Sequence, residues 1–420
     1  MLKIDDIHNF NFEAVPIESY WNSSDESELK IHQIHAYPAK FPAFVTTKAI
    51  NYAKEIGLSI NTIADIFCGC GTTAFESKRN KKNYWGCDIN PVATMIARTK
   101  SKKYQLARLL KYYKKITSNY RKQDIKDVYN DASERLTYWY SKGQYNKLFY
   151  IRSLIIENTP WNSDYRDFFL CAFSNILKGS SRWLTKSIKP QIDPKKRPTD
   201  PYKLFNNQCN KMFKAIENLP SVDQKVNKII TGNFLDTSLR FSKTDMIITS
   251  PPYVTSYEYA DLHQLSSLWL GYSEDYRELR NGTIGSLHHI YNFDNERKNL
   301  NNTGYEVVKQ LIKKEKGKAR SVAKYFLDMQ KVVKRTYKIL NNEGMALFII
   351  GNTEYKTVKI DNARHLAESM FDAGYKEVSV TKRKISRKIL TPYRDKKGKF
   401  TTDSRGRKVY NEEYIICGRK

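Results

Sequence analysis

Thr249-Ser250-Pro251-Pro252-Tyr253 sets a hydroxyl, a fixed backbone carbonyl and an aromatic ring side by side. The exocyclic amine of a nucleobase is a poor nucleophile, because its lone pair is delocalised into the ring. Two acceptors, Ser250 Oγ and the Pro251 carbonyl, can take its two N–H bonds and localise that lone pair. The Tyr253 ring can meanwhile stack on a base drawn out of its helix. This is the chemistry of amino-group methylation; the bland alternative is an ordinary Pro-Pro turn. The preceding run, Asp245 to Ile248, is apolar after its opening acid and reads as a buried parallel strand. Pro251 and Pro252 cannot continue a ladder, so the strand must stop in a stiff corner at its carboxyl end. Open α/β sheets bind ligands at that edge.

A second constellation implies a cofactor. Asn61 to Phe67 reads as a strand, Cys68-Gly69-Cys70-Gly71-Thr72-Thr73 as a glycine turn, Ala74 to Arg79 as the start of a helix, and Tyr84 to Asp88 as a strand closed by an acid. That order is the logic of a nucleotide-binding βαβ unit. The glycines let a ligand approach the backbone, and Asp88 can accept both ribose hydroxyls. The third glycine of the dinucleotide fingerprint is missing, which favours a nucleoside-type cofactor over a pyrophosphate. Upstream, His35-Ala36-Tyr37-Pro38-Ala39-Lys40-Phe41-Pro42 is a rigid, extended segment before a helical pattern from Thr46 to Ile56. It is either a loop packed on the core or a wall of the cofactor site, with Lys40 or Thr46 near a carboxylate. Asn233, after the strand Val226 to Ile230, is either an adenine contact or a turn residue.

The totals fit a nucleic-acid enzyme. The chain has 420 residues and a formal charge of +28, from 72 basic and 44 acidic residues, which suggests a polyanionic partner. Lys, Asn, Ile and Tyr are abundant together, a bias that an AT-rich genome also produces. The six cysteines form no paired CxxC, so no metal site is expected and they read as reduced packing residues. No Pro-Cys dipeptide occurs, which argues against covalent cysteine attack on a pyrimidine. No apolar run approaches the roughly 18 residues of a membrane span. Met1 to Phe12 is polar and acidic and shows no signal-peptide pattern. A cytoplasmic, nucleoid-associated protein with no membrane partner is therefore expected.

The elements that would position these residues divide in three. Residues 30–103 and 228–420 form the catalytic domain. Residues 104–227 carry helical periodicity and no strand-like alternation, and read as an insertion with two basic runs, near Lys102 to Lys122 and Lys186 to Arg197. Each run is either a solvated face or a set of phosphate contacts. Residues 274–320, polar and rich in Asn and Lys, read as a mobile loop or lid. Val322 to Leu340 reads as an amphipathic helix, Met345 to Ile350 as a strand, Ala363 to Phe371 as a helix, and Tyr375 to Thr381 and Glu413 to Cys417 as the last strands. Lys376 to Lys408 holds thirteen basic residues against three acidic ones. If the Tyr375 strand runs parallel to the Ser250 strand, this stretch leaves the sheet beside the corner, with Lys384, Arg387, Lys388 and Arg394 placed to track a phosphate backbone.

Together these residues resemble the amino-methylating DNA methyltransferases of the cytosine-N4 type. Asp65-Ile66-Phe67-Cys68-Gly69-Cys70-Gly71 looks like the family's loop for S-adenosyl-L-methionine (AdoMet), Thr249 to Tyr253 looks like its catalytic motif, and His35 to Pro42 is similar to a segment found upstream in some members. The resemblance covers about residues 30–100 and 228–420. It implies AdoMet as donor and a Rossmann-like α/β fold, a seven-stranded sheet with its last strand antiparallel. It assigns cofactor contact to Tyr37, Lys40, Asp65, Phe67, Gly69, Gly71 and Thr72 near the loop, and to Asp88, Ile89, Asn233 and Thr249 beyond it. Ser250, Pro251, Pro252 and Tyr253 become catalytic, and Ser at the first of these positions favours cytosine. The expected activity is site-specific N4 methylation of duplex DNA in restriction–modification or host defence, with a cognate restriction endonuclease as the partner such a role admits. Adenine-N6 methylation, RNA base methylation and an inert DNA-binding protein are the alternatives.

Overall fold

The structure is a computed structural model. It describes the chain except residues 24–26, 39, 123–124, 218, 220–226, 255–258, 288–290, 386–392, 395–399, 402, 404–406 and 409–411, and only the backbone of 121–122, 393–394, 400 and 407–408. Its centre is an eight-stranded sheet. In chain order the strands are β1 (Leu2–Lys3), β2 (Thr62–Asp65), β3 (Asn83–Asp88), β4 (Asn227–Thr231), β5 (Thr244–Thr249), β6 (Leu340–Ile350), β7 (Glu377–Lys384) and β8 (Glu412–Arg419). Their spatial order is β1-β7-β8-β6-β5-β2-β3-β4. Strands β4, β3, β2, β5 and β6 pair in parallel, and β8 is antiparallel to both β6 and β7. This is the expected sheet with one strand added. Leu2 and Lys3 pair antiparallel with the outer edge of β7, and thereby cover an edge that would otherwise expose unpaired backbone groups.

The acid that opens β5 has a structural task. Asp245 Oδ2 accepts the backbone N–H groups of Asn61 and Thr62, each at 2.9 Å, and Oδ1 accepts from Asn341 Nδ2 at 2.6 Å. One carboxylate thus sets the start of β5 against both its neighbours. Alternation then divides the strand between two cores. Met246 and Ile248 pack with Val45, Ala49 and Ile50 of helix α1 (Ala43–Glu55) and with the fully buried Trp21. Ile247 faces the other layer, built from α12 (Asn302–Ile312), α13 (Lys316–Ile339) and α14 (Asn362–Ala373). Helices α2 (Thr72–Arg79) and α3 (Pro91–Ser101) complete the βαβ unit, and the short α9 (Tyr259–Leu262) and α10 (Gln264–Leu270) follow β5.

Between residues 104 and 217, the described residues form α4 (Leu106–Lys122), α5 (Glu134–Trp139), α6 (Lys142–Asn158), α7 (Asp164–Ile176) and α8 (Pro201–Glu217). They close around a third core of Phe168, Phe169, Phe173, Phe205 and Trp139, which also includes Val92, Met95 and Ile96 of α3. The insertion is therefore packed onto the nucleotide-binding unit, not tethered to it. On α4 the periodicity resolves plainly. Leu109 and Ile116 are buried, while Lys111, Lys114 and Lys115 face solvent.

The segment 274–320 differs from the loop expected of it. It holds a 3-10 turn at Tyr276–Arg280, α11 (Phe293–Glu296), all of α12 and the first turn of α13. Val307, Val308 and Leu311 of α12 are buried against α13 and α14. Asn301 caps α12, its side chain accepting from the Gly304 N–H at 2.9 Å. A narrow apolar stripe suffices to bury a helix whose other residues are polar, and the abundance of Asn and Lys concealed it. Residues 1–22, outside the domain bounds expected from the sequence, pack onto the sheet: Ile4, Phe12 and Val15 are buried on one side and Trp21 on the other.

Candidate active site

The carboxyl ends of β2, β3 and β5 converge, and the order of connection reverses at β2. The next strand, β3, lies on one side and β5 on the other, which makes the β2/β5 end the switch-point crevice of the sheet. Asp65 ends β2 and Thr249 ends β5. Thr249 Oγ1 donates to Asp65 Oδ1 at 2.7 Å, and the Phe67 N–H donates to the same oxygen at 3.2 Å. Burial raises the Asp65 carboxyl to about 6, against the lowering effect of these donors. Asp65 and Thr249 therefore tie the floor of the crevice together.

Above this floor the glycine loop turns twice through left-handed backbone. Gly69 has φ +46° and Gly71 φ +74°. At Gly71 a side chain would also meet α3, since an ideal Cβ lies 2.6 Å from Ala97 Cβ. The Gly69 N–H donates to Asp88 Oδ2 and the Asn90 N–H to Asp88 Oδ1, both at 2.9 Å. Burial holds the Asp88 carboxyl above its ordinary range. Each oxygen keeps lone-pair capacity for a further donor. Tyr37 lies over the loop, its ring 3.6 Å from an ideal Cβ on Gly69, and stacks on His263 at 5.0 Å between centroids. His263 is pushed down by burial to about 4, so it is neutral at physiological pH.

The chemistry of these donors fits a nucleoside-type cofactor. Thr72 Oγ1, at the first turn of α2 beside the loop, is buried with no hydrogen-bond partner. A buried hydroxyl without a partner is costly, and a ligand on the loop would supply one. Gly69, Gly71 and Thr72 would then approach the cofactor through the loop, and Asp88 would take its ribose. Replacing Asp88 by alanine is expected to weaken AdoMet binding by about thirtyfold, the loss of charge-assisted bonds worth about 2 kcal/mol. Titration calorimetry reads this directly, and an unchanged affinity would remove the ribose role.

Two expected cofactor residues are committed elsewhere. Lys40 donates to Glu28 at 2.5 Å and to the His32 carbonyl at 3.0 Å. Its charge is already balanced, so it does not offer a free cation to a cofactor carboxylate. Asn233 has both ends of its amide engaged, accepting from the Leu235 N–H at 2.8 Å and donating to the Gly282 carbonyl at 3.0 Å. It is the turn residue, and it clamps a loop across Ile89, whose Cδ1 lies 3.2 Å from an ideal Cβ on Gly282. Phe67 is partly buried against the sheet core.

Ser250 and Pro251 follow β5 directly, with Pro251 buried and Ser250 partly open. The Tyr253 ring passes Gly351, at the end of β6, with Cε2 3.1 Å from an ideal Cβ there. Its hydroxyl donates to Glu413 Oε1 on β8 at 2.8 Å. Glu413 Oε2 accepts from Arg383 Nη2 at 2.5 Å, a pair whose side chains are 15% and 3% exposed. Burial, then the Glu413 charge, raises the Tyr253 phenol well above its usual value. Nothing in the sequence near the corner pointed to Glu413, Arg383 or Gly351. Glu413 and Arg383 are cross-strand partners, a relation that only the register of the sheet reveals.

Because β7 runs parallel to β5, the basic stretch does leave the sheet at the corner's edge. It begins later than its composition suggests. Lys382 is buried and paired with Glu412 at 2.9 Å, and Arg383 is paired with Glu413. Lys376, at the opposite end of β7, is exposed, and Lys384 is the first exposed cation at the corner's edge. Arg387 and Lys388 lie outside the described residues. Arg394 lies in a short strand, Tyr393–Arg394, paired with Phe400–Thr401 and Arg407–Lys408. All six cysteines are buried and free. Among the described residues no cluster suits a metal ion, and no helix is long and apolar enough to cross a membrane.

A Rossmann-like sheet with a glycine loop, a strand-end acid and a proline-locked corner fits a nucleoside-cofactor methyltransferase. Comparison with known proteins narrows the class. The family model described as a DNA methylase, covering N6- and N4-amino methyltransferases, matches residues 5–99, from the N-terminal segment through Asp88 into α3. The type II methyltransferase M.MvaI of Kocuria varians is 23% identical over 361 residues, 78% of each chain. The type II methyltransferase M.BsoBI of Geobacillus stearothermophilus is 25% identical over 320 residues, 67% of this chain and 60% of that one. A precorrin-6y methyltransferase structure from Geobacter metallireducens overlays at 9% identity over 92% of this chain and 94% of that one, with a TM-score of 0.31. That value adds nothing to the strand order. These matches support an amino-methylating DNA methyltransferase, a class whose methyl donor is AdoMet.

Proposed function

We propose that the chain methylates the exocyclic N4 amine of cytosine in duplex DNA, at a specific site, as the modification half of a restriction–modification pair. The observation that carries this reading is the corner itself. A serine hydroxyl stands at the carboxyl end of the central strand, beside the switch-point crevice, followed by two prolines and a ring held in place from β8.

The residues divide the work as follows. Tyr253 offers a fixed ring face on which a flipped base stacks. Ser250 Oγ and the Pro251 carbonyl accept the two N–H bonds of its amine, which localises the lone pair along the line of attack. When bound, AdoMet supplies an electrophilic methyl on its sulfonium. On transfer of that methyl, Ser250 Oγ would accept the proton the amine sheds and pass its own to solvent, while the Pro251 carbonyl would hold the remaining N–H. Catalysis here is placement and preorganised polarity. Lys384 and the basic stretch beyond it, with the lysines of 186–197, would track the phosphates on either side. Salt dependence of binding follows from such contacts. The two relatives are named type II methyltransferases, which supports site-specific modification.

The test is incubation with labelled AdoMet and mixed-sequence duplex DNA, then nucleoside mass spectrometry of the digest. N4-methylcytosine is expected. N6-methyladenine instead would overturn the base assignment made from Ser250 and leave the class intact.

A further inference from the structure

We infer that Glu413 is a positioning residue for methyl transfer, acting through the hydroxyl of Tyr253. This rests on the reading of Tyr253 as the ring that receives the flipped base. A stacking ring must present one face in one plane, yet the two torsions of a tyrosine leave a phenyl free to tilt. Here two contacts remove that freedom. Gly351 lets the ring edge approach the β6 backbone, with 3.1 Å between Cε2 and an ideal Cβ. Glu413 holds the far end through a 2.8 Å bond to the hydroxyl. The carboxylate is itself immobile, because its other oxygen accepts from Arg383, a guanidinium 3% exposed.

The direction of the bonds also bears on Ser250. Ser250 belongs to the same corner, and its hydroxyl acts to lower the Tyr253 phenol against the raising effect of burial and Glu413. Glu413 can only accept, so Tyr253 donates to it, and the phenol oxygen is left as an acceptor. A Ser250 hydroxyl that gives its hydrogen to that oxygen turns its lone pairs outward, towards an amine with hydrogens to offer. Arg383, Glu413 and Tyr253 thus form a chain of fixed polarity running from a buried ion pair on β7 and β8 to the corner that ends β5. It also roots the corner one residue from Lys384, where the exposed basic stretch begins.

A double-mutant cycle tests this on the full-length protein, once the wild type has shown which base it methylates; absence of any methylation there would fail the functional reading and not this one. Tyr253→Phe removes the hydroxyl and leaves the ion pair whole. In Glu413→Gln the amide oxygen is drawn to Arg383, so an N–H faces the phenol and the polarity reverses. Each change is expected to slow single-turnover methyl transfer at saturating AdoMet and DNA by about fivefold, with AdoMet affinity unchanged within about twofold. Together they should cost no more than either alone, since both cut the same contact. A product of about twenty-five-fold would overturn the proposal, as would a Tyr253→Phe enzyme at the wild-type rate. A merely structural role would lower the melting temperature and leave the per-molecule rate untouched. Should Glu413→Gln not fold, Tyr253→Phe alone decides, because it disturbs no buried charge.

Discussion

Ser250→Ala should lower the methyl-transfer rate by about two to three orders of magnitude and leave AdoMet affinity within about twofold. The asymmetry comes from where Ser250 sits. The cofactor contacts argued above lie on the glycine loop and at the ends of β2 and β3, where the hydrogen bonds of Asp88 go to Gly69 and Asn90 and not to Ser250. Its removal also leaves no orphaned partner in the floor, because Thr249 and Asp65 pair with each other. What is lost is an acceptor for the amine at the moment its lone pair must localise. A backbone carbonyl alone, that of Pro251, can take one N–H and not both. Single-turnover kinetics with labelled AdoMet would give the rate, and calorimetry the affinity. A loss of cofactor binding together with rate would mean that Ser250 supports the crevice and not the substrate.

Much of the framework behind this expectation was legible in the sequence. The strands of the sheet centre are short apolar runs closed by glycine or proline, and β5 could hardly read otherwise: Met246, Ile247 and Ile248 are all fully buried. The βαβ unit was legible because its turn demands glycine for backbone reasons. What escaped notice depends on partners far apart in the chain. Lys40 sits in the segment expected to touch the cofactor, but Glu28, twelve residues upstream, pairs with it. Glu413 meets Tyr253 across 160 residues. Lys382 and Arg383 looked like the start of a solvated basic loop, and are instead buried opposite two glutamates. In each case the composition was read correctly, and the pairing register decided its meaning.

The second large effect is expected at Gly71, and its cause can be separated from a simpler one. Gly71→Ala should destabilise the protein by about 2–4 kcal/mol, the sum of left-handed strain of about 1 kcal/mol and overpacking of about 1–3 kcal/mol. The overpacking arises because the added methyl would stand 2.6 Å from Ala97 Cβ and 2.7 Å from Ala97 Cα. Backbone cannot swing aside as a flexible side chain would, so either α3 moves or the loop does. The loop is the weaker of the two, since α3 is sealed between the sheet and the insertion core through Val92, Met95 and Ile96. Displacing the loop pulls the Gly69 N–H from Asp88 and moves Thr72, so AdoMet affinity should fall by at least about tenfold. Gly57 provides the comparison. It too is left-handed, with φ +80°, but nothing lies within 4 Å of an added Cβ. Gly57→Ala should therefore show the strain alone, about 1 kcal/mol by denaturant titration, with AdoMet binding unaffected. If the two substitutions cost the same, the close approach of the loop to α3 is not what Gly71 is there to permit.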